Sequence, residues 1–333
     1  MVLKDVFKRP LLDLRISVTD RCNMRCRYCM PREHFDKNHV YLPKSDILSF
    51  EEIVRVVESL LPSGLRKVRL TGGEPLIRKD LYKLIEQLRE LSPDLDIALT
   101  TNAQLLSKSI QDLKKAGLSR VTVSLDALDV DVYQAMGDTT STPDAIIESI
   151  DKTLALGIPV KVNTVVQKGV NEHQVIPLIS QMGSRNIPIR FIEYMDVGAT
   201  NSWNLDHVMS GKEMRHLIEN EFGLIQPIEP DHPSDVARTY RTDSGSIIGF
   251  IESISNPFCG DCSRARLSAN GSIYTCLFAT EGFDLRGILR MDATKEEITS
   301  AISAIWNQRK DRYSETRSEK TDLNRIEMSF IGG

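Results

Sequence analysis

Cys22, Cys26 and Cys29 fall within the nine-residue run Arg21-Cys22-Asn23-Met24-Arg25-Cys26-Arg27-Tyr28-Cys29, close enough for three thiolates to converge on one metal centre. An iron–sulfur cubane takes four Cys ligands, so a cubane held by these three alone leaves one iron open to an outside ligand, and an open position is where chemistry occurs. The competing arrangement is a zinc knuckle completed by His34 or His39, although zinc sites more often use Cys-x2-Cys pairs. A second trio, Cys259, Cys262 and Cys276, stands beside Ser263-Arg264-Ala265-Arg266. It too lacks a fourth cysteine, leaving either a second open cluster or a zinc site completed by His232 or another residue. The two trios use all six cysteines, a pattern that favours metal ligation over paired disulfides.

Two further features bear on chemistry. Thr71-Gly72-Gly73-Glu74-Pro75 places two glycines where a backbone could approach a ligand that a Cβ would exclude. Arg15, Arg69, Lys161 and Arg190 each interrupt an apolar, β-like stretch. Cations turned into a barrel interior are costly unless paired, and only Asp13, Asp96 and Glu193 lie on those stretches. An anionic ligand such as a triphosphate is the economical partner; the alternative is that these side chains snorkel to strand ends.

Elements able to position these residues are visible as a rhythm. β-Branched runs at 12–18, 67–71, 95–100, 120–125, 160–166 and 189–194 predict six strands, and amphipathic runs at 50–61, 81–91, 105–116, 143–156 and 175–182 predict helices between them. Ser49 and Glu52 form a capping box for the first helix. The alternation predicts parallel βα units, and six of them predict an incomplete barrel rather than a closed eightfold one, with the first cysteine trio on the first βα loop. Beyond about residue 225 the pattern turns Pro- and Gly-rich, with short strands at 239–241 and 247–251, a helix near 295–306 and a polar tail from Arg309. The expected division is therefore 1–225 and 226–333.

A chain of 333 residues with 41% hydrophobic content can bury a sizeable core. Its 42 Lys+Arg against 46 Asp+Glu, a net charge of -4, speak against a general nucleic-acid surface. No apolar run approaches membrane-spanning length and the first residues lack a signal-peptide pattern, so a soluble cytoplasmic protein is expected.

The Cys-x3-Cys-x2-Cys spacing, the aromatic Tyr28 inside it and the Gly-Gly-Glu-Pro motif resemble radical S-adenosylmethionine (SAM) enzymes. Together with Asp13-Leu14-Arg15-Ile16-Ser17, Asn256-Pro257-Phe258-Cys259-Gly260-Asp261-Cys262-Ser263-Arg264-Ala265-Arg266 and the terminal Gly332-Gly333, they resemble the GTP 3′,8-cyclase family of molybdenum-cofactor biosynthesis over essentially the whole chain. The resemblance implies an α/β fold, an incomplete (β/α)6 TIM-type barrel with a C-terminal α+β module covering its open side. It also implies two 4Fe–4S clusters, one on Cys22, Cys26 and Cys29 and one on Cys259, Cys262 and Cys276. SAM is expected at Tyr28, Gly73, Ser124 and Met195. GTP is expected at Arg15, Arg69, Thr100, Lys161, Arg190, Arg264, Ala265 and Arg266, with the second cluster's open iron on the guanine.

By the same resemblance, a 5′-deoxyadenosyl radical takes hydrogen from C3′ of GTP. The C3′ radical attacks guanine C8 and, after reduction by one electron and one proton, gives (8S)-3′,8-cyclo-7,8-dihydroguanosine 5′-triphosphate for a downstream cyclic pyranopterin monophosphate synthase. Arg264, Arg266 and a Gly332-Gly333 tail reaching into the site are expected to support catalysis, a separate reductant is required, and a homodimer is expected. Two other readings are a peptide-modifying radical SAM enzyme, which would call for further cysteines in the second module, and a non-catalytic zinc scaffold.

Overall fold

The β-branched runs become strands because each carries one apolar face that must be buried. A computed structural model describes residues 2–230, 232–317 and 325–332. The six expected strands are β1 (Asp13–Ser17), β2 (Lys67–Thr71), β3 (Asp96–Thr101), β4 (Arg120–Ser124), β5 (Val160–Val166) and β6 (Ile189–Glu193), each within about a residue of its predicted ends. In β5, Val160, Val162, Thr164 and Val166 are buried while Lys161, Asn163 and Val165 alternate onto the other face. In β6, Ile189 and Phe191 go under the helices and Arg190 takes the opposite face. This alternation turns the cations inward.

The connecting helices begin where the sequence supplies caps. Ser49 and Glu52 close the capping box of Phe50–Leu60, and Thr142 accepts from the Ala145 amide ahead of Pro143–Ala155. Four of the described helices were not anticipated, two of them, Arg286–Arg290 and Met328–Ile331, only about one turn long. Val130–Gly137 is short and capped by Asp129, and Gly211–Phe222 opens with a second capping box, Ser210 and Glu213. The signal for the latter was present, but only Met214 and Ile218 of its core face are apolar and fully buried, too sparse a stripe to stand out by periodicity.

The C-terminal half adds β7 (Gln226–Ile228), β8 (Arg238–Arg241), β9 (Ile247–Ile251), β10 (Arg264–Leu267), β11 (Ser272–Tyr274) and β12 (Phe283–Asp284). All twelve strands form one sheet, in the order β12-β11-β10-β1-β2-β3-β4-β5-β6-β9-β8-β7. β10 pairs parallel with β1 and β9 pairs parallel with β6. The change near residue 225 is thus one of connectivity: the later strands extend both edges of the six-stranded barrel core. Most of the buried apolar side chains form one cluster between sheet and helices, including Trp306 of the helix Lys295–Asn307. Among the described residues, no helix is long and apolar enough to cross a membrane.

The tail returns to the sheet. Its short helix Met328–Ile331 packs against β1 with Ile331 fully buried. Asp196, just past β6, anchors it by accepting from Tyr313 Oη (2.6 Å) and Arg317 Nε (3.1 Å) and pairing with Arg325 Nη1 (3.0 Å). The described part of the tail is held by these polar contacts and by a small apolar cluster of Tyr313 and Met328 with Val197 and Phe278.

Candidate active site

The first cysteine trio leaves the C-terminal end of β1 and is held by the loop after β2. The Gly73 amide donates to Thr19 O and the Glu74 amide to Arg21 O, both at 2.8 Å. A Cβ on Gly73 would collide with the Arg21 carbonyl, and one on Gly72, at φ +151°, with that of Thr19. The approach these glycines permit is therefore first of all to the cysteine loop. Glu74 ties the same loop to β3, accepting from Thr101 Oγ1 (2.7 Å) and the Asn102 amide (2.8 Å). Burial raises its carboxyl to about 7, against these donors, which favour the ionised form.

Cys259 and Cys262 precede β10, which runs parallel to β1, so they lie at the opposite end of the barrel from Cys22–Cys29. Cys276 joins them from the end of β11, antiparallel to β10. Roughly 13 Å of parallel strand separates the two ends. All six cysteines line one cavity of about 840 Å³ that runs between them. Among the described residues no three His, Cys, Asp or Glu side chains are gathered into a site for one metal ion. Of the imidazoles named as zinc ligands, His34 is exposed, His39 packs between Phe35 and Tyr41, and His232 lines the same cavity but is exposed, with Nδ1 2.8 Å from Ser234 Oγ.

The sulfurs have donors suited to thiolates. Cys22 Sγ accepts from the Met24 amide (3.4 Å), and Cys262 Sγ from Arg309 Nη2 (3.1 Å). Burial pushes Cys22 up to about 11 and Cys276 up to about 12. Burial acts on Cys262 too, but Arg264 and Arg309 outweigh it and hold that thiol near 6.

Between the two trios lie the cations. Arg266, Arg15 and Arg69 are register neighbours across β10, β1 and β2. Lys161, Arg190 and Arg264 line the same cavity. The carboxylates counted from sequence are taken by other groups. Asp13 pairs with Lys67 at 3.1 Å and Asp96 with Arg120. Glu193 accepts from the amides of Gly211 (2.8 Å), Ile254 (2.8 Å) and Ser255 (2.9 Å). Among the described residues Arg15 Nε and Arg69 Nε are buried without a partner, while Arg69 Nη1 donates to Thr100 Oγ1 (2.9 Å) and Thr122 Oγ1 (3.1 Å). Burial together with mutual repulsion lowers Arg15 to about 9, Arg69 to about 10 and Lys161 to about 8. An anion bound among these cations would relieve both their burial and their mutual repulsion.

Residues 16–182 match the Radical SAM superfamily and residues 187–315 match Molybdenum Cofactor Synthesis C. The GTP 3′,8-cyclase of Staphylococcus haemolyticus is 46% identical over 337 residues, 99% of this chain and 99% of the relative. The GTP 3′,8-cyclase of Staphylococcus saprophyticus is 47% identical with the same coverage. The chain belongs to the GTP 3′,8-cyclase family. Its fold also resembles that of SuiB from Streptococcus suis bound to S-adenosylmethionine, at TM-score 0.63 and 18% identity over 93% of this chain and 68% of that one.

Within this family member, Tyr28, Gly73, Ser124 and Met195 all line the cavity, as do Arg15, Arg69, Thr100, Lys161, Arg190, Arg264 and Arg266. Ala265 is the exception: it alternates with its neighbours along β10, and its side chain is fully buried in the hydrophobic core. It can reach a ligand only through its backbone. Gly332, at φ +77°, lies against Ser17 and Thr71, and its carbonyl accepts from Arg266 Nη1; Gly333 lies outside the described residues. Sequence reasoning missed Asp126, which accepts from Tyr28 Oη at 2.7 Å. It also missed the unpartnered Asn163 Oδ1, one pleat along β5 from Lys161. Both follow from strand alternation beyond Ser124 and Lys161 and could have been read from it.

Lys161 yields a pH test. Its folded value, about 8, lies below the ordinary 10.5, so the ligand-free protein gains stability as pH rises between those values. A phosphate restores the charge, so GTP binding takes up a proton above pH 8 and weakens by up to about tenfold per pH unit there. Calorimetry in buffers of different ionisation enthalpy measures that proton, and Lys161→Arg should remove most of it.

Proposed function

We propose that this enzyme carries out the GTP 3′,8-cyclase reaction, joining C3′ of GTP to guanine C8 in the first step of molybdenum-cofactor biosynthesis, at the cavity between the two cysteine trios. The observation that carries this reading is the set of inward cations that have no carboxylate partner among the described residues, flanked at either end by three thiols. Cys22, Cys26 and Cys29 would hold one 4Fe–4S cluster and Cys259, Cys262 and Cys276 the other. When bound, the first cluster and SAM would together supply the one-electron chemistry that removes hydrogen from C3′.

The remaining work belongs to the chain. Tyr28, Gly73, Ser124 and Met195 would seat SAM at the C-terminal end of the strands. Arg15, Arg69, Lys161, Arg190, Arg264 and Arg266 would neutralise the triphosphate, and Thr100 would fix the Arg69 fork on it. A peptide-modifying reading, the strongest rival, has no use for so many buried cations, and the six cysteines leave none for a further cluster. We further propose a cytoplasmic homodimer served by a separate reductant, its product passing to a cyclic pyranopterin monophosphate synthase.

Anaerobic turnover with SAM, GTP and dithionite, read by mass spectrometry, tests the activity. Expected are 5′-deoxyadenosine and a product isomeric with GTP. Deoxyadenosine in equal amount with and without GTP, and no isomer, would overturn it.

A further inference from the structure

The second cysteine trio is gripped by a pair of buried arginines, Arg9 and Arg309. Arg309 follows the helix Lys295–Asn307 and Arg9 precedes β1, some three hundred positions earlier in the chain, and each is about 4% exposed or less. Arg309 Nη1 donates to Cys262 O (2.7 Å), Nη2 to Cys262 Sγ (3.1 Å) and Nε to Thr275 O (3.0 Å), beside Cys276. Arg9 Nη1 donates to Cys259 O (2.7 Å) and Asp311 O (2.9 Å). One carboxylate joins the two: Asp5 Oδ2 accepts from Arg9 Nε (2.6 Å) and Arg309 Nη1 (3.3 Å). Trp306 stacks under Arg309 at 4.5 Å, and its Nε1 donates to Arg9 O at 3.2 Å.

Each of the three cysteine-bearing turns is thus fixed by a guanidinium fork. The charges do not cancel among the deeply buried groups, since two arginines share Asp5, and the other carboxylate nearby, Asp311, is a third exposed and stands 3.5 Å from Arg309 Nε. The surplus points at Cys262 Sγ. We propose that Arg309, braced by Asp5 and Arg9, is a positioning residue for the second cluster: it presets the three ligand turns and, through its N–H to Cys262 Sγ, raises that cluster's reduction potential.

The inference rests on the ligand assignment made under Proposed function. Its direction follows from charge: a donor and a positive centre beside a ligand sulfur favour the more negative, reduced cluster. The geometry also assigns work to an N-terminal segment that no cysteine spacing would connect with the second site.

The test uses the full chain with Cys22, Cys26 and Cys29 all changed to alanine, so that only the second cluster can form. Iron and sulfide per chain, an EPR-monitored reductive titration and the rate of iron loss to a chelator are then compared for that chain and for the same chain carrying Arg309→Lys, Arg309→Met or Asp5→Asn. Arg309→Met is expected to lower the midpoint potential and to speed iron loss about tenfold or more. Arg309→Lys, which keeps the charge but not the fork, falls between, and Asp5→Asn gives a smaller change of the same kind. Should Arg309→Met not fold, the lysine and asparagine variants decide by the same two readouts. A cluster whose potential and retention ignore all three changes overturns the clamp alone. A background chain that binds no cluster overturns the ligand assignment and the clamp with it.

Discussion

Cys26→Ala should reduce SAM cleavage to background, whereas Cys262→Ala should retain slow, uncoupled SAM cleavage and lose cyclised product. The two trios are alike in number of ligands but not in surroundings. Cys26 sits in the loop that Gly73 and Glu74 clasp through main-chain bonds, beside Tyr28, Ser124 and Met195. Removing one of three ligands there leaves a cubane with two thiolates, too few to hold it. Cys262 lies at the other end of β1 and β10, next to Arg264 and Arg309. Its loss strikes the anion-binding end while the strand length insulates the first trio. Counting 5′-deoxyadenosine against cyclised nucleotide in each variant, with iron content as the control, separates the two roles. Equal loss of SAM cleavage in a Cys262→Ala chain that keeps its first cluster would count against the division.

The placement of the first trio beside the Gly-Gly turn was legible in sequence because it depends on short-range order. A cysteine run directly after a β-branched run must sit on a βα loop, and a Gly-Gly turn after the next strand must be its neighbour. The inward cations were legible for the same reason, since period-two alternation fixes which face Lys161 and Arg190 take. What could not be read was long-range pairing. Nothing local in Arg264–Leu267 or Ile247–Ile251 says that these strands dock in parallel on β1 and β6. Nor does Arg9 announce a partner in Cys259, or Asp196 its three tail partners, because ion pairs between distant segments leave no periodicity. Lys67 and Arg120 were overlooked as inward cations for a different reason: each begins its strand, where a charge reads as a solvated end. Their pairing with Asp13 and Asp96 is what leaves Arg15 and Arg69 unmatched.

That mismatch makes Arg15 the cleanest single test of the polyanion site. Arg266 is also engaged by the Gly332 carbonyl and Arg69 by two threonine hydroxyls, so changing either disturbs structure as well as charge. Arg15 Nε is buried without a partner, and among the described residues its side chain makes no ion pair. Arg15→Met keeps most of the volume and removes a desolvated charge repelled by Arg69 and Arg264. The ligand-free variant should therefore melt no lower than the unaltered protein, and it should melt higher if the repulsion dominates. Charge-assisted bonds to phosphate are worth about 1.5–3 kcal/mol each, so GTP should bind at least about tenfold more weakly. The stabilisation conferred by GTP should shrink accordingly, and affinity for guanosine, which has no phosphate to lose, should hold. Thermal shift and equilibrium binding on one preparation read both quantities. Stability lost together with GTP affinity would mark Arg15 as a structural cation satisfied in the folded chain, and the triphosphate would then have to be held by the others alone.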